Sequence, residues 1–203
     1  MTNVILFDAD GVMTHQQQRF TTYYTNRYKL DLATFTKFFE TDWKDFVTGK
    51  KDLKEHIKNN PDFWQWSGEP SELLKLWFET EDARNYTMIK LVKKIRASGT
   101  ACYLATEQEQ YRADYMKNVM FQNVFDGYFV TADIGYKKSD HRFFETAVAQ
   151  LRQTNPELDM NDVIFFDDSQ SKVDAAIAVG IDGILFDGIE SATSKLKATN
   201  VPF

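Results

Sequence analysis

The sequence predicts an α/β fold, in which a Rossmann-like parallel sheet has helices on both faces and a small α-helical domain is inserted after the first strand. Short apolar runs that end in polar loops alternate with helical patterns, which is typical of a parallel sheet. The runs are continuously apolar, as expected for strands buried on both faces. Residues 15–84 interrupt this alternation, because they contain no convincing strand.

The first predicted strand spans residues 4–7 and ends in a polar loop at residues 8–11. Further strands are predicted over residues 101–105, 128–131, 163–166 and 183–186. Between them, the periodicity of apolar residues predicts helices over 88–97, 110–120, 142–153 and 170–179. Gly99 and Gly180 follow the first and the last of these helices, at positions where glycine commonly ends a helix.

The interrupting stretch is rich in aromatic and charged residues and is predicted to be a helical domain of residues 15–84. Residues 1–14 and 85–203 then make up the α/β core domain. Pro61 and the turn at residues 68–70 should divide the helical domain into shorter helices. Its aromatic side chains are expected to form its own core and its contact with the sheet: Phe38, Phe39, Trp43, Phe46, Phe63, Trp64, Trp66, Trp77 and Phe78.

Length and composition exclude several classes of protein. A chain of 203 residues can bury one substantial core and a smaller inserted domain. The net charge of −6 argues against non-specific nucleic-acid binding, and no run approaches the ~18 apolar residues of a membrane span. A single cysteine, Cys102 in a predicted strand, excludes an internal disulfide. We therefore expect a cytoplasmic protein with a small-molecule ligand, and no obligate protein partner is evident.

Polar side chains follow three of the predicted strands. They are Asp8 and Asp10, Thr106, and Asp167 with Asp168. Ligands of open parallel sheets bind beyond the carboxyl ends of the strands, so these side chains are expected to form one site. Four carboxylates packed together would repel one another unless a cation joined them. A hard divalent cation with oxygen ligands meets this need, and the sequence predicts Mg²⁺.

Asp8 and Asp10 stand two residues apart, and Gly11 gives the loop the freedom to bring the second side chain over the first. One carboxylate can then attack phosphorus while the other transfers the proton. The expected chemistry is a two-step hydrolysis of a phosphate ester.

Four segments resemble the motifs of the haloacid-dehalogenase-like superfamily. They are residues 7–12 (FDADGV), 104–106 (LAT), 136–145 (YKKSDHRFFE) and 165–169 (FFDDS), in the order of motifs one to four. The resemblance implies a phosphatase with a helical cap inserted after the first strand, as in β-phosphoglucomutase-like proteins and sugar phosphatases. The implied substrate is a small phosphorylated metabolite, such as a sugar phosphate or a nucleotide.

The resemblance also implies roles for the carboxylates. Asp8 would be the nucleophile and a magnesium ligand. Asp10 would be the acid/base, with a backbone carbonyl that also reaches the metal. Asp168 would be the main further metal ligand, with Asp167 beside it.

The remaining implied contacts are to the phosphoryl group. Thr106 would donate a hydrogen bond to it, and Lys138 would neutralise its charge and that of the nucleophile. Glu107 would offer its backbone N–H to the phosphoryl group, and its carboxylate would point outward, away from that group. Ser139 and His141 stand where relatives commonly have proline, so the loop that carries Lys138 is expected to be less rigid.

In the helical domain, three polar residues are candidates for binding the leaving group. They are His15 and Arg19 near the first loop, and Lys50 in the turn at residues 48–50. A cap at this place in the chain would close over the site and select the substrate.

Two alternatives to a phosphatase stay open. A sugar-phosphate mutase of the same superfamily typically has a histidine ten positions after the acid/base aspartate, where this chain has Phe20. A catalytically silent relative would bind a metabolite or a protein, but it would be free to lose a site residue. Dehalogenases lack the acid/base aspartate, so Asp10 argues against dehalogenation.

Overall fold

The computed structural model describes residues 4–15, 19–199 and 201–202. Its strands are β1 (Val4–Phe7), β2 (Ala101–Thr106), β3 (Gly127–Val130), β4 (Val163–Asp167) and β5 (Asp182–Leu185). They form one parallel sheet in the order β3-β2-β1-β4-β5. Each predicted strand is present, with ends that differ from the expected ones by one residue at most. The parallel sheet predicted from the sequence is therefore confirmed.

The chain between β1 and β2 is helical. Its first helices are α1 (Phe20–Tyr28), α2 (Leu32–Thr41), α3 (Trp43–Val47), α4 (Leu53–Asn59), α5 (Pro61–Trp64) and α6 (Pro70–Thr80). Pro61 and Pro70 begin α5 and α6, at positions where a missing N–H costs no helical hydrogen bond. The predicted division of this segment at Pro61 and at the turn of residues 68–70 is confirmed.

Aromatic side chains form a separate hydrophobic core in this inserted segment. Trp64 and Phe20 are fully buried, and the Phe20 ring stacks on Trp77 with 4.8 Å between centroids. Tyr111 and Tyr115, which follow β2, pack against the same cluster. The prediction that the aromatic residues make a core of their own is confirmed, and one of them, Phe78, contacts Tyr115 beyond β2.

Helices cover both faces of the sheet. They are α7 (Tyr86–Ala97), α8 (Gln110–Tyr115), α9 (Thr131–Ile134), α10 (His141–Leu151), α11 (Gln170–Ile177) and α12 (Ile189–Ala198). Ile5 and Phe7 of β1 pack on one face with side chains of α7 and α12. Val4 and Leu6 pack on the other face with side chains of α10 and α11. Side chains alternate across a strand, which explains why β1 contributes to both cores.

Two helices were not predicted from the sequence, and one predicted helix differs in form from the expected one. α9 has only four residues, too few to show a helical period, and α12 buries only Ala192 and Leu196. The segment of residues 110–120 is α-helical to Tyr115 and then forms a π-helical turn, Met116–Met120.

None of the described helices is long and apolar enough to cross a membrane. Cys102 is a buried free thiol, as predicted.

Candidate active site

The site lies where the strand order of the sheet reverses. β1 is flanked by β2 on one side and β4 on the other, with Phe7 level with Leu104 and with Phe166. The N–H of Asp8 donates to the carbonyl of Phe166 at 2.9 Å, so Asp8 leaves the end of β1 in a fixed position. Crevices at such reversal points are the usual ligand sites of open parallel sheets.

Lys138 is buried in contact with Asp8. Its ammonium group donates to Oδ1 of Asp8, to Oδ2 of Asp167 at 2.7 Å and to the carbonyl of Ala105 at 3.0 Å. Neither Lys138 nor Asp167 has exposed surface, and burial of a charge is tolerated only when it is paired and hydrogen-bonded. The structure therefore brings Lys138 to Asp8, whereas the side chain of Lys137 is 44% exposed.

Glu107 holds the loop that carries Lys138. Its Oε2 accepts from the backbone N–H of Lys138 at 3.1 Å, and its Oε1 lies 3.2 Å from the ammonium of Lys137. Two donors of the loop thus engage this carboxylate, and its expected direction away from the phosphoryl group stays a prediction. These contacts join Glu107 to the loop in which Ser139 and His141 replace prolines, and the lower rigidity expected of that loop stays a prediction.

Three carboxylates meet beside Lys138. Oxygen atoms of Asp8, Asp167 and Asp168 all lie within 4.8 Å of one another, so the group can hold a metal ion. Burial raises the pKa of the Asp167 carboxyl, and the negative charge of Asp8 raises it further. The set contains only hard oxygen donors, which suits a hard divalent cation. A cation bound here would relieve the repulsion that raises this pKa.

Thr106 presents an unsatisfied hydroxyl at the end of β2. The residue is 1% exposed, and its Oγ1 has no hydrogen-bond partner. Leaving a buried hydroxyl unpaired costs about 1–3 kcal/mol. A buried, unpaired hydroxyl at the carboxyl end of the strand beside β1 is suited to contact a ligand. The Thr106 hydroxyl does not cap the following helix, because the N-cap of α8 is Glu109, whose side chain accepts from the backbone N–H groups of Tyr111 and Arg112.

Asp10 lies in the loop after β1, next to Asp8 but outside the three-carboxylate group. Its Oδ1 accepts from the hydroxyl of Thr14 at 3.3 Å, and its Oδ2 accepts from the amide of Gln108 at 2.5 Å. Asp10 is exposed at the surface, yet protein atoms close to its carboxyl displace part of its hydration, and this desolvation raises the pKa of the carboxyl. The positive charge of Arg112 acts in the opposite direction.

Sequence reasoning missed three residues near the site. Lys172 places its ammonium 4.0 Å from Oδ2 of Asp8 and 3.9 Å from Oδ1 of Asp167. Gln108 contacts Asp10, and Arg112 is a buried cation near it. A signal existed for Lys172, since it stands in the first turn of the helix after Asp167 and Asp168, four residues beyond the latter. The signal for Gln108 was weaker: it stands two residues after Thr106, but glutamine is a common surface residue.

The three candidate contacts of the helical segment are all exposed. His15 is exposed, and its backbone N–H donates to the carbonyl of Ala83 at 2.8 Å. Arg19 is exposed directly before α1. Lys50 is exposed and lines a groove of about 960 Å³ together with Tyr136 and other residues of the loop around it. Among the residues that the structure describes, no side-chain hydrogen bond or ion pair joins these three residues to Asp8, so their substrate-binding role stays a prediction.

Phe20 occupies the position at which the mutases have a histidine. It is fully buried, with its ring stacked on Tyr24 and on Trp77. A phenyl ring in a hydrophobic core can neither carry a proton nor reach a substrate.

The sheet topology and the acidic site at its reversal point define the chain as a Rossmann-like α/β enzyme. Residues 2–180 match the family model described as haloacid dehalogenase-like hydrolase. The chain therefore belongs to the haloacid dehalogenase-like hydrolase family, as the motifs predicted.

Individual proteins resemble the chain in sequence or in fold. The sesquiterpene phosphatase astK of Aspergillus oryzae is 31% identical over 104 residues, which are 51% of this chain and 49% of that protein. The chain thus matches about half the length of this relative. A predicted HAD-like family hydrolase from Porphyromonas gingivalis has a TM-score of 0.77 at 15% identity, with 97% of this chain and 98% of the other covered. An HAD family enzyme from Bacteroides thetaiotaomicron, solved with magnesium and inorganic phosphate, has a TM-score of 0.69 at 14% identity, with 91% and 94% covered.

Proposed function

We propose that the chain is a magnesium-dependent phosphatase that hydrolyses a small phosphorylated metabolite through an aspartyl-phosphate on Asp8. One observation carries the proposal: the buried ammonium of Lys138 contacts Asp8 and Asp167, which form a possible metal-binding group with Asp168, and the unpaired hydroxyl of Thr106 lies at the end of the neighbouring strand β2. This arrangement offers donors for phosphate oxygens and acceptors for a cation in one place. The Bacteroides enzyme with the same fold was solved with magnesium and inorganic phosphate, which supports the choice of ligand.

The first half-reaction transfers the phosphoryl group to Asp8. Its carboxylate oxygen forms a bond to phosphorus as the bond from phosphorus to the leaving oxygen breaks, and Asp10 donates its proton to that oxygen. Lys138 fixes the Asp8 carboxylate and offsets the charge of the phosphoryl group. The Thr106 hydroxyl donates to a phosphoryl oxygen and thereby gains the partner that it lacks.

The second half-reaction restores the enzyme. Asp10, now a carboxylate, takes a proton from a water molecule whose oxygen attacks phosphorus. The bond between phosphorus and the Asp8 oxygen breaks, and inorganic phosphate leaves. Asp8, Asp167 and Asp168, together with the backbone carbonyl of Asp10, would hold Mg²⁺, which would supply positive charge to orient the phosphate and to screen it from the attacking carboxylate.

We further propose that residues 15–84 act as a cap domain over the core domain of residues 1–14 and 85–203. The segment has its own aromatic core, and several contacts join it to the rest of the chain. The Tyr111 hydroxyl donates to Oδ2 of Asp52 at 2.6 Å, and the buried guanidinium of Arg112 donates to the carbonyl of Phe78 at 3.3 Å. Thr14 and Arg84 pair in a short antiparallel bridge where the segment begins and ends.

The test is release of inorganic phosphate, with Mg²⁺ and with a chelator, from a panel of phosphate esters. The panel contains sugar phosphates, nucleoside monophosphates and, because of the sesquiterpene phosphatase relative, isoprenoid phosphates. We expect Mg²⁺-dependent turnover, and a loss of at least about a hundredfold in Asp8→Asn. Asp62→Asn, which changes an exposed carboxylate of the helical segment, is the control and should retain activity.

Other outcomes would support other functions. Turnover that persists in Asp8→Asn would refute the aspartyl-phosphate. An isomerised sugar phosphate without free phosphate would indicate a mutase, against which the buried Phe20 argues. Binding without turnover would indicate a silent relative.

A further inference from the structure

The orientation of Asp10 depends on side-chain contacts, because its backbone does not fix it. Asp10 lies in a non-helical kink (φ −78°, ψ 125°), and Gly11 after it is in the left-handed region at φ 85°. The side chain keeps contact with water and is not part of either hydrophobic core of the sheet. An acid/base group must hold its reacting oxygen within hydrogen-bond reach of the leaving oxygen. Some neighbour therefore has to orient the carboxylate.

Gln108 provides the shorter of the two contacts that orient it. Its Nε2 lies 2.5 Å from Oδ2 of Asp10. The hydroxyl of Thr14 lies 3.3 Å from Oδ1, but it lies equally far from the carbonyl of Ala9, and one hydroxyl proton serves only one acceptor at a time. Gln108 is thus the dominant restraint on Asp10.

Gln108 is itself held in place by the sheet. It is two residues beyond Thr106, and its carbonyl accepts from the hydroxyl of the fully buried Thr131 at 3.4 Å. Directly after it, Glu109 is buried as the N-cap of α8. The end of β2 and the loop after it therefore carry both the unpaired hydroxyl of Thr106 and the amide that restrains Asp10.

We propose that Gln108 is a positioning residue for proton transfer, which acts by holding the Asp10 carboxyl with one oxygen directed at the leaving group. An amide N–H donates to an oxygen that carries no proton, so Oδ2 remains an acceptor and the transferred proton resides on Oδ1. The proposal rests on the proposed phosphatase function and adds to it a residue that the family motifs do not include.

The experiment compares leaving groups in Gln108→Ala. In 4-nitrophenyl phosphate the leaving group departs as a stable anion, whereas in glycerol phosphate it is an alkoxide that needs a proton. The value of kcat/KM includes steps only up to the first irreversible one, which is departure of the leaving group. We expect kcat/KM for glycerol phosphate to fall by about tenfold to a hundredfold, and that for 4-nitrophenyl phosphate by less than about threefold. A merely structural role would lower both values alike.

Two further variants complete the test. Gln110→Ala removes an exposed glutamine amide that bonds to Asp114, and it should change neither value. In an Asp10→Asn background, Gln108→Ala should cause no further loss with glycerol phosphate, because the two residues act as a unit. Equal losses for both esters, no loss, or additive losses in the double variant would overturn the proposal.

Failure of this inference is distinguishable from failure of the proposed function. If Asp8→Asn abolishes turnover and Gln108→Ala shows no leaving-group dependence, only the inference is wrong. If the unmodified protein releases phosphate from neither ester, or Asp8→Asn keeps its activity, the proposed function fails and the inference fails with it.

Discussion

Gly11 and Asp168 approach so closely that no side chain fits between them. A Cβ built on Gly11 would lie 2.0 Å from Oδ2 of Asp168 and 2.6 Å from its Cγ. The backbone of Gly11 also has φ 85°, which favours glycine. Gly11 thus leaves room for the carboxylate of Asp168, which is distant from it in the sequence.

Gly11→Ala should therefore disrupt the carboxylate group. The methyl group would displace Asp168 from Asp8 and Asp167, and Mg²⁺ affinity should fall by about tenfold or more, since a ligand of the site is moved. Gly99→Ala is the matched control, because Gly99 has a similar φ of 95° but nothing within 4 Å of the added Cβ. Thermal melting at increasing Mg²⁺ concentration measures both effects. Equal Mg²⁺ affinity in the two variants would show that the contact with Asp168 does not matter.

Thr106→Val should separate stability from activity. The hydroxyl of Thr106 has no partner, so replacing it by a methyl group of similar size should leave the free energy of unfolding unchanged or raise it by about 1 kcal/mol. Phosphatase activity should fall by about tenfold to a hundredfold, because a donor to the phosphoryl group is lost. Thr131→Val, which removes a hydroxyl that does have a partner, should instead lower stability. Denaturant unfolding and phosphate release measure the two properties, and a destabilised Thr106→Val would contradict the role as a free donor.

Lys172→Met should strengthen Mg²⁺ binding. The Lys172 ammonium lies about 4 Å from oxygens of Asp8 and Asp167, so it offsets their charge and repels an incoming cation. Without it, the dissociation constant for Mg²⁺ should decrease several-fold, and the protein without Mg²⁺ should melt at a lower temperature. Lys93→Met removes an exposed lysine of α7 and is the control for net charge. Calorimetric titration with Mg²⁺ gives the affinity, and an unchanged or weaker value in Lys172→Met would contradict the prediction.

Glu109→Gln should change how stability depends on pH. Burial raises the pKa of the Glu109 carboxyl to about 7, although two backbone N–H groups donate to it. The folded protein therefore favours the protonated Glu109 carboxyl. This preference stabilises the fold fully below pH 4.5, and that stabilisation is lost as the pH rises through about 7. Glutamine does not titrate, so over this range the variant should gain roughly 2–3 kcal/mol relative to the unmodified protein. Denaturant unfolding between pH 4.5 and 8 measures this difference, and Glu190→Gln at an exposed position is the control. Parallel pH profiles for the unmodified protein and Glu109→Gln would contradict the prediction.

Much of the fold could be predicted because its signals are local. The strands are continuous apolar runs, and in a parallel sheet such runs are buried on both faces, so β1 and β4 were recognisable from composition alone. The ends of these strands also located Asp8, Asp167 and Asp168, since parallel strands bring their carboxyl ends to one edge. α9 and α12 were not predictable, because one is too short and the other too polar to show a period.

By itself, the sequence determined the class of fold, the order of the motifs and the types of residue available for chemistry, because each depends on neighbours along the chain. Only the tertiary structure decided which groups meet. It placed the ammonium of Lys138 on Asp8 across 130 positions, the amide of Gln108 on Asp10, and the carboxylate of Glu107 on the Lys138 loop. Such contacts depend on side-chain direction and on packing between distant segments, which periodicity does not encode.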